Sequence, residues 1–184
     1  MKSYLITSRE YHTDTPAVFR SILQEQLKKH FPDFILYRDK HNPHYATQAD
    51  HFLDVCKNFQ GLKAFLHQDY LLAAKLSACG VHLTSKQFED IPKAKDLGLD
   101  VIISTHTHDE VHIAEAMGAD YVTYSPIFAT PGKGEPKGVE DLAEIISMSD
   151  IKIFALGGII SSKEVEALQK SNAFGFASIR YFQL

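Results

Sequence analysis

The sequence predicts an α/β protein: a compact (β/α)8 barrel in one domain, residues 1–184. Three observations predict it. Eight short apolar runs rich in β-branched and aromatic residues recur along the chain. Each has the length of a strand buried on both faces, as parallel strands are. The stretches between them carry helical signals, so right-handed crossovers join the strands into a parallel sheet. No Gly-x-Gly-x-x-Gly follows the first run, where Thr7-Ser8-Arg9-Glu10 stands. That disfavours a dinucleotide-binding open sheet, although alternation alone does not separate an open sheet from a closed barrel.

The first run is Tyr4-Leu5-Ile6-Thr7. A helix is predicted over Ala17 to His30, with Val18, Ile22 and Leu23 on one face. Lys28, Lys29 and His30 suit its C-terminal dipole end. Phe34-Ile35-Leu36-Tyr37 is the second run, followed by a helix over Thr47 to Phe59 that buries Phe52, Val55, Cys56 and Phe59. Ala64-Phe65-Leu66, Gly80-Val81-His82-Leu83 and Val101-Ile102-Ile103-Ser104 are the next three strands. A helix begins at Thr107 with Asp109 and Glu110 in its first turn, buries Val111, Ala114 and Met117, and stops at Gly118. Tyr121-Val122-Thr123-Tyr124 precedes a helix over Val139 to Met148. Ile151 to Leu156 precedes a helix capped by Ser161-Ser162-Lys163-Glu164. Phe174 to Ile179 is the eighth strand.

An eight-unit barrel usually needs about 200–250 residues. Here the last strand ends five residues before Leu184. The eighth helix is therefore expected to be missing or vestigial. The resulting seam would expose apolar faces of strands 8 and 1. Tyr181, Phe182 and Leu184 are expected to cover part of it, and a second subunit the rest, giving a homodimer.

The net charge is −4, and no Lys/Arg run exceeds two residues. Neither nucleic acid nor an anionic membrane is an expected partner. No apolar stretch approaches the ~18 residues of a membrane span. The apolar run at the N-terminus is too short for a signal peptide, so a cytoplasmic protein is expected. Cys56 and Cys79 have no metal spacing and read as packed thiols. His12, His30, His41, His44 and His51 read as surface residues.

A barrel carries its site at the C-terminal ends of its strands. Arg38 and Lys40 follow strand 2, His67, Gln68 and Asp69 follow strand 3, and His82 ends strand 4 ahead of Thr84-Ser85. Strand 5 ends in Ser104-Thr105-His106, strand 7 in Gly157-Gly158, and strand 8 in Ser178 and Arg180. Strand 6 leads through Pro126 and Thr130 into a Gly- and Pro-rich loop, 131–138, carrying Lys133 and Lys137. Cations and hydroxyls thus crowd one edge of an acidic protein, as an anionic ligand requires. Gly157-Gly158 lets backbone N–H groups approach a phosphate, aided by the next helix N-terminus. Arg180 can grip phosphate oxygens bidentately. Loop 131–138 has the composition of a mobile lid. Plainer readings exist for each: a turn for Gly-Gly, a solvated pair for Arg38 and Lys40, a satisfied interior group for His82, a helix-entry role for His106.

Six segments in register carry a family resemblance: Arg38-Asp39-Lys40, Gly80 to Leu83, Ser104-Thr105-His106, Ala119-Asp120-Tyr121, Pro126 to Thr130 with Lys133, and Ala155 to Ile159. Over about Phe34 to Ile179 the chain resembles the thiamine phosphate synthase superfamily, which includes the thiazole tautomerases of the TenI group. The resemblance implies a barrel that joins hydroxymethylpyrimidine diphosphate to thiazole phosphate and releases pyrophosphate, with Mg²⁺ assisting. It implies that Arg38, Lys40 and Lys133 hold pyrophosphate. Thr130, Gly157, Gly158 and the end of strand 8 would hold thiazole phosphate, with Ser104 and His106 near the pyrimidine. No organic cofactor is implied.

The sequence departs from that pattern. The family's Asn-Asp after strand 3 is His67-Gln68, and its Gly-Gln-x-Asp after strand 4 is Thr84-Ser85-Lys86-Gln87. Both Mg²⁺-binding carboxylates have become amides, poor ligands for that ion. Asp69 lies one residue away, and Glu89 and Asp90 follow strand 4, so a shifted site is the alternative. Leu36 stands for the usual Gln, and Arg180 for a small hydroxyl residue. The tautomerase's catalytic His is Pro126, so His67, His82 or His106 would have to replace it. Three outcomes remain open: a synthase, a tautomerase, or a silent protein binding thiazole or thiamine phosphate.

Overall fold

Side chains alternate across a strand, so a barrel strand covered by helices must be apolar on both faces. The eight runs satisfy this. The computed structural model describes residues 1–183. Its strands are β1 (Lys2–Ile6), β2 (Phe34–Tyr37), β3 (Lys63–His67), β4 (Gly80–Leu83), β5 (Asp100–Thr105), β6 (Tyr121–Tyr124), β7 (Lys152–Leu156) and β8 (Gly175–Ser178). They pair in parallel in chain order, and β8 pairs with β1 to close the barrel. Closure removes the open-sheet alternative.

The crossovers contain α1 (Arg9–His12), α2 (Pro16–His30), α3 (Tyr45–Cys56), α4 (Tyr70–Lys75), α5 (Asp90–Asp96), α6 (His108–Ala116), α7 (Gly138–Ser147) and α8 (Ser162–Leu168). The single-turn α1 was not expected. In α2 the buried stripe is Phe19, Leu23, Gln26 and Leu27, while Val18 is exposed. The helix is rolled by one residue from its predicted face, because the bulkier Phe19 takes the inward position.

Inside the barrel, Tyr4, Phe34, Phe65, Tyr121 and Phe154 form one aromatic cluster. Phe34 and Phe154 meet edge to face at 5.0 Å. Gly80 and Gly175 make room for it. A Cβ at Gly80 would lie 2.5 Å from the Phe65 ring and 2.1 Å from the Asp100 carbonyl oxygen. At the next inward positions of β4 and β5 the lining turns polar, with His82 and Ser104. The packed aromatic floor thus supports a polar mouth.

Among the described residues no α-helix follows β8. A 3₁₀ turn over Arg180–Gln183 takes its place. Phe182 is 2% exposed, stacks on Phe176 at 5.9 Å and meets His30 of α2 edge-on at 5.5 Å. The amide nitrogen of Gln26 donates to Gln183 Oε1 at 2.7 Å. Phe182 and Gln183 therefore cover part of the seam between β8 and β1, as expected. Leu184, expected to share this task, lies outside the described residues.

Two smaller expectations are corrected. His12 is buried, not superficial, and its Nε2 shares a 2.5 Å hydrogen bond with Gln26 Oε1. Cys56 is packed, but Cys79 is exposed. Among the described residues no helix is long and apolar enough to cross a membrane.

Candidate functional site

Two cavities open at the C-terminal mouth of the barrel and share Thr130, Leu156, Gly157 and Ile179. The larger, ≈ 350 Å³, has an apolar wall of Ile6, Leu36, Pro126, Leu156 and Ile179. Arg38, Lys40 and Lys133 bring three cations to it, while His67, His82, Ser104 and His106 face it from β3, β4 and the end of β5. Thr84, Ser85 and Ser125 add hydroxyls. No Asp or Glu lines it. The smaller cavity, ≈ 220 Å³, lies beside Gly157, Gly158, Ile159, Ser178 and Arg180, with Ser8, Glu10 and Tyr11 opposite.

The Arg38–Lys40 segment is held from outside the mouth. The Asp39 carboxylate accepts from Arg9 Nε at 2.9 Å and from the His41 amide at 3.3 Å. Asp39 is buried and turned into this pairing, which leaves its two cationic neighbours on the cavity. Lys137 is spent differently: its ammonium lies 5.1 Å from the centre of the Tyr124 ring.

The three imidazoles are not equivalent. His82 Nδ1 lies 2.9 Å from Tyr4 Oη, and its Nε2 lies 3.1 Å from Ser104 Oγ. Tyr4 is fully buried, and a buried O–H must donate. Nδ1 therefore accepts from Tyr4, and Nε2–H donates to Ser104. Ser104 is left with its own proton to direct into the cavity. Burial first, then the neighbouring His67 and Arg38, push His82 down to about 3. It is a neutral relay, not an acid. His67 is likewise pushed down to about 3, by burial first and then by Arg38 and Lys40. His106 differs. Its Nδ1 lies 3.1 Å from the Ser125 carbonyl oxygen, which only accepts, so Nδ1 carries the proton and Nε2 is a basic lone pair.

The neutral imidazoles give stability a pH dependence. Unfolded, His67 and His82 take up protons near pH 6.5; folded, only near pH 3. The unfolded chain holds more protons between these limits, so stability rises with pH there. The contribution is fully present above pH 6.5 and is lost as pH falls toward 3. His67→Asn is expected to flatten the slope of unfolding free energy between about pH 4 and 6 by up to about 1.4 kcal/mol per pH unit. Urea titrations across that range would check this, and equal slopes in both proteins would contradict it.

Several expected site residues lie elsewhere. Thr105 faces the helical layer and donates to the Thr123 carbonyl oxygen at 3.1 Å, because Ser104 takes the inward position on β5. Gln68 is exposed in a left-handed conformation, φ 67°, and lines neither cavity. Asp69 Oδ1 caps α4 by accepting from the Leu72 amide at 2.8 Å. The Gln87 amide ties two loops: its oxygen accepts from the Thr84 N–H, and its nitrogen donates to the Gln68 carbonyl oxygen. Ser178 lines the smaller cavity, but its hydroxyl donates to the Ile159 carbonyl oxygen at 2.7 Å. At the N-terminus of α8 the Ser161 and Ile160 amides donate to Glu164, so these two are not free for a phosphate.

The donor set does not fit Mg²⁺, which is normally held through one or two carboxylates plus phosphate. Asp69 is a helix cap, and neither it nor Glu89 nor Asp90 lines either cavity. Among the described residues, His108, Asp141 and Glu144 alone form a group of metal-ligating type within 4.8 Å. That group lies at the α6–α7 boundary, with Asp141 already accepting from Tyr124 Oη at 2.6 Å.

A family model described as thiamine monophosphate synthase matches residues 3–182. The chain belongs to the thiamine monophosphate synthase family. This family member is similar to a putative thiamine-phosphate synthase 2 of Aquifex aeolicus, 29% identical over 97% of this chain and 96% of that one. It is 33% identical to a thiamine-phosphate synthase of Synechocystis over 85% of this chain, but spans 45% of that longer protein. A solved thiamine phosphate pyrophosphorylase from Pyrococcus furiosus superposes with a TM-score of 0.84 at 23% identity, covering 99% of this chain and 90% of that one. That likeness shows the shared barrel. The family's shared segments made Arg38, Lys40 and Lys133 legible. Tyr4, Ser125, Thr84 and Ser85 were given no role in the site. Strand parity was the available signal for Tyr4, which shares the inward face with Ile6.

Proposed function

We propose that this chain joins hydroxymethylpyrimidine diphosphate to thiazole phosphate, releasing pyrophosphate and forming thiamine phosphate. The observation that carries the reading is the pair of adjoining cavities. One bears three cations beside an apolar wall suited to a planar heterocycle. The other is bounded by Gly157-Gly158 and Arg180, suited to a single phosphate. A reaction between two anionic partners needs two such subsites that meet, as these do at Thr130 and Gly157.

In this reading Arg38, Lys40 and Lys133 stabilise negative charge that builds on the departing pyrophosphate. The Ser104 hydroxyl, oriented by His82, donates to a pyrimidine ring nitrogen and so fixes the ring's orientation for attack at its methylene carbon. His106 Nε2 stands on the same cavity as a proton acceptor. Gly157 and Gly158 keep the strand-7 loop close to the strand-6 loop, so both phosphates sit on one rim.

The test is direct. Purified protein with both substrates is expected to form thiamine phosphate, read by conversion to thiochrome. No product despite measurable binding of thiazole phosphate would sink the synthase reading. One observation favours a second reading, thiazole tautomerase: the basic Nε2 of His106 in a cavity without carboxylates. Turnover of the unaromatised thiazole phosphate alone, lost in His106→Asn, would move the assignment there.

A further inference from the structure

We propose that the larger cavity neutralises a diphosphate with Arg38, Lys40 and Lys133 alone, so that pyrophosphate binds to the metal-free protein. The inference deepens the synthase reading and rests on it.

The geometry supplies three supports. First, the cavity wall contains three cationic side chains and no carboxylate. A divalent ion placed there would meet hydroxyls, imidazoles and cations, and the like charges would repel it. Second, the carboxylates flanking the cationic cavity are otherwise engaged, while Glu10 stands on the smaller one. Asp39 sits in the middle of the Arg38–Lys40 segment but is turned away and paired with Arg9. Asp69 caps α4, and Asp90 pairs with Lys93 at 2.9 Å. Glu110 accepts from the His106 amide, holding the end of β5 from the helix side. Third, the cations feel one another. Arg38 first, then burial and Lys133, push the Lys40 ammonium below its usual range. Three like charges converging on one cavity are relieved by a polyanion, whose oxygens can take charge-assisted hydrogen bonds from all three.

Two consequences separate this arrangement from a metal-bridged one. Free pyrophosphate should be the tighter ligand, because Mg²⁺ in solution removes part of the charge that the three cations recognise. The affinity should also depend on each cation separately. A charge-assisted hydrogen bond lost to truncation typically weakens binding about ten- to a hundredfold.

The experiment is calorimetric titration of the full chain with inorganic pyrophosphate, in buffer stripped of metals by chelating resin and again with millimolar Mg²⁺. Lys40→Ala, Lys133→Ala and the exposed control Lys86→Ala accompany it. Lys40 and Lys133 are exposed, so their variants are expected to fold. The expected result is binding without metal that is equal to or tighter than binding with Mg²⁺. Lys40→Ala and Lys133→Ala should each weaken it about tenfold or more, with Lys86→Ala unchanged. Binding only in the presence of Mg²⁺ overturns this inference and leaves the synthase reading standing. Binding in neither buffer overturns both. Metal-free binding that all three lysine variants weaken equally would show a diffuse charge effect and would also overturn it.

Discussion

His82→Leu is expected to lower thiamine phosphate formation by about one to two orders of magnitude, less than the roughly 10²–10³ lost with a transition-state donor itself, because His82 only orients Ser104. It is also expected to destabilise the fold by about 1–3 kcal/mol, the cost of a buried hydroxyl left without a partner. Leucine fills a similar volume, so the barrel closes around it. Tyr4 Oη then loses its acceptor at 2.9 Å, and Ser104 loses the donor that fixes its rotor. The two losses can be separated. Tyr4→Phe combined with His82→Leu removes both buried partners and is expected to recover much of the stability. It restores nothing to Ser104, so activity should stay low. Chemical denaturation and steady-state rates on the two variants would check this. Recovery of activity along with stability would show that His82 acts only as packing.

Gly158→Ala is expected to weaken thiazole phosphate binding at least about tenfold and to destabilise the protein by about 1–3 kcal/mol, the range for strain at one residue. Gly158 has φ +69°, and a Cβ there would lie 2.6 Å from Phe128 Cβ and 2.7 Å from the Ala129 carbonyl oxygen. The strand-6 and strand-7 loops also share hydrogen bonds, from the Phe128 amide to the Gly157 carbonyl oxygen and from the Ile127 amide to that of Leu156, each 3.0 Å. Separating these loops to admit a methyl group deforms the rim between the cavities. Gly132→Ala separates backbone strain from this clash. Gly132 also has positive φ, +72°, but nothing lies within 4 Å of its added Cβ. It should lose about 1 kcal/mol or less locally and keep its phosphate affinity. Equal effects at the two positions would remove the close-approach role from Gly158.

Much of the fold was legible because its causes are local. Four-residue apolar runs such as Phe34–Tyr37 and Gly80–Leu83 coincide with β2 and β4, and Ser161 with Glu164 forms the capping box their spacing implies. The C-terminal turn covering part of the seam depends on Gln26 meeting Gln183, a contact no local pattern encodes. At the site, cations after the second strand and on the sixth-strand loop could be read directly. Thr105 was misplaced although strand alternation beside Ser104 sends it outward. Asp69 was weighed as a metal ligand although an Asp before a helix is also a cap. The Tyr4–His82–Ser104 relay spans 78 residues in its first link. It exists only because β1, β4 and β5 point those side chains into one barrel. The Arg9–Asp39 pair likewise needs α1, which no periodicity announced.

The most direct test is a crystal structure of the protein with thiamine phosphate and pyrophosphate, both added without divalent metal. The account predicts the phosphate of thiamine phosphate against Gly157, Gly158 and Arg180. It predicts pyrophosphate between Arg38, Lys40 and Lys133, with the pyrimidine within hydrogen-bond reach of Ser104. Both anions in one cavity, or a phosphate bound away from the Gly157–Gly158 rim, would contradict it.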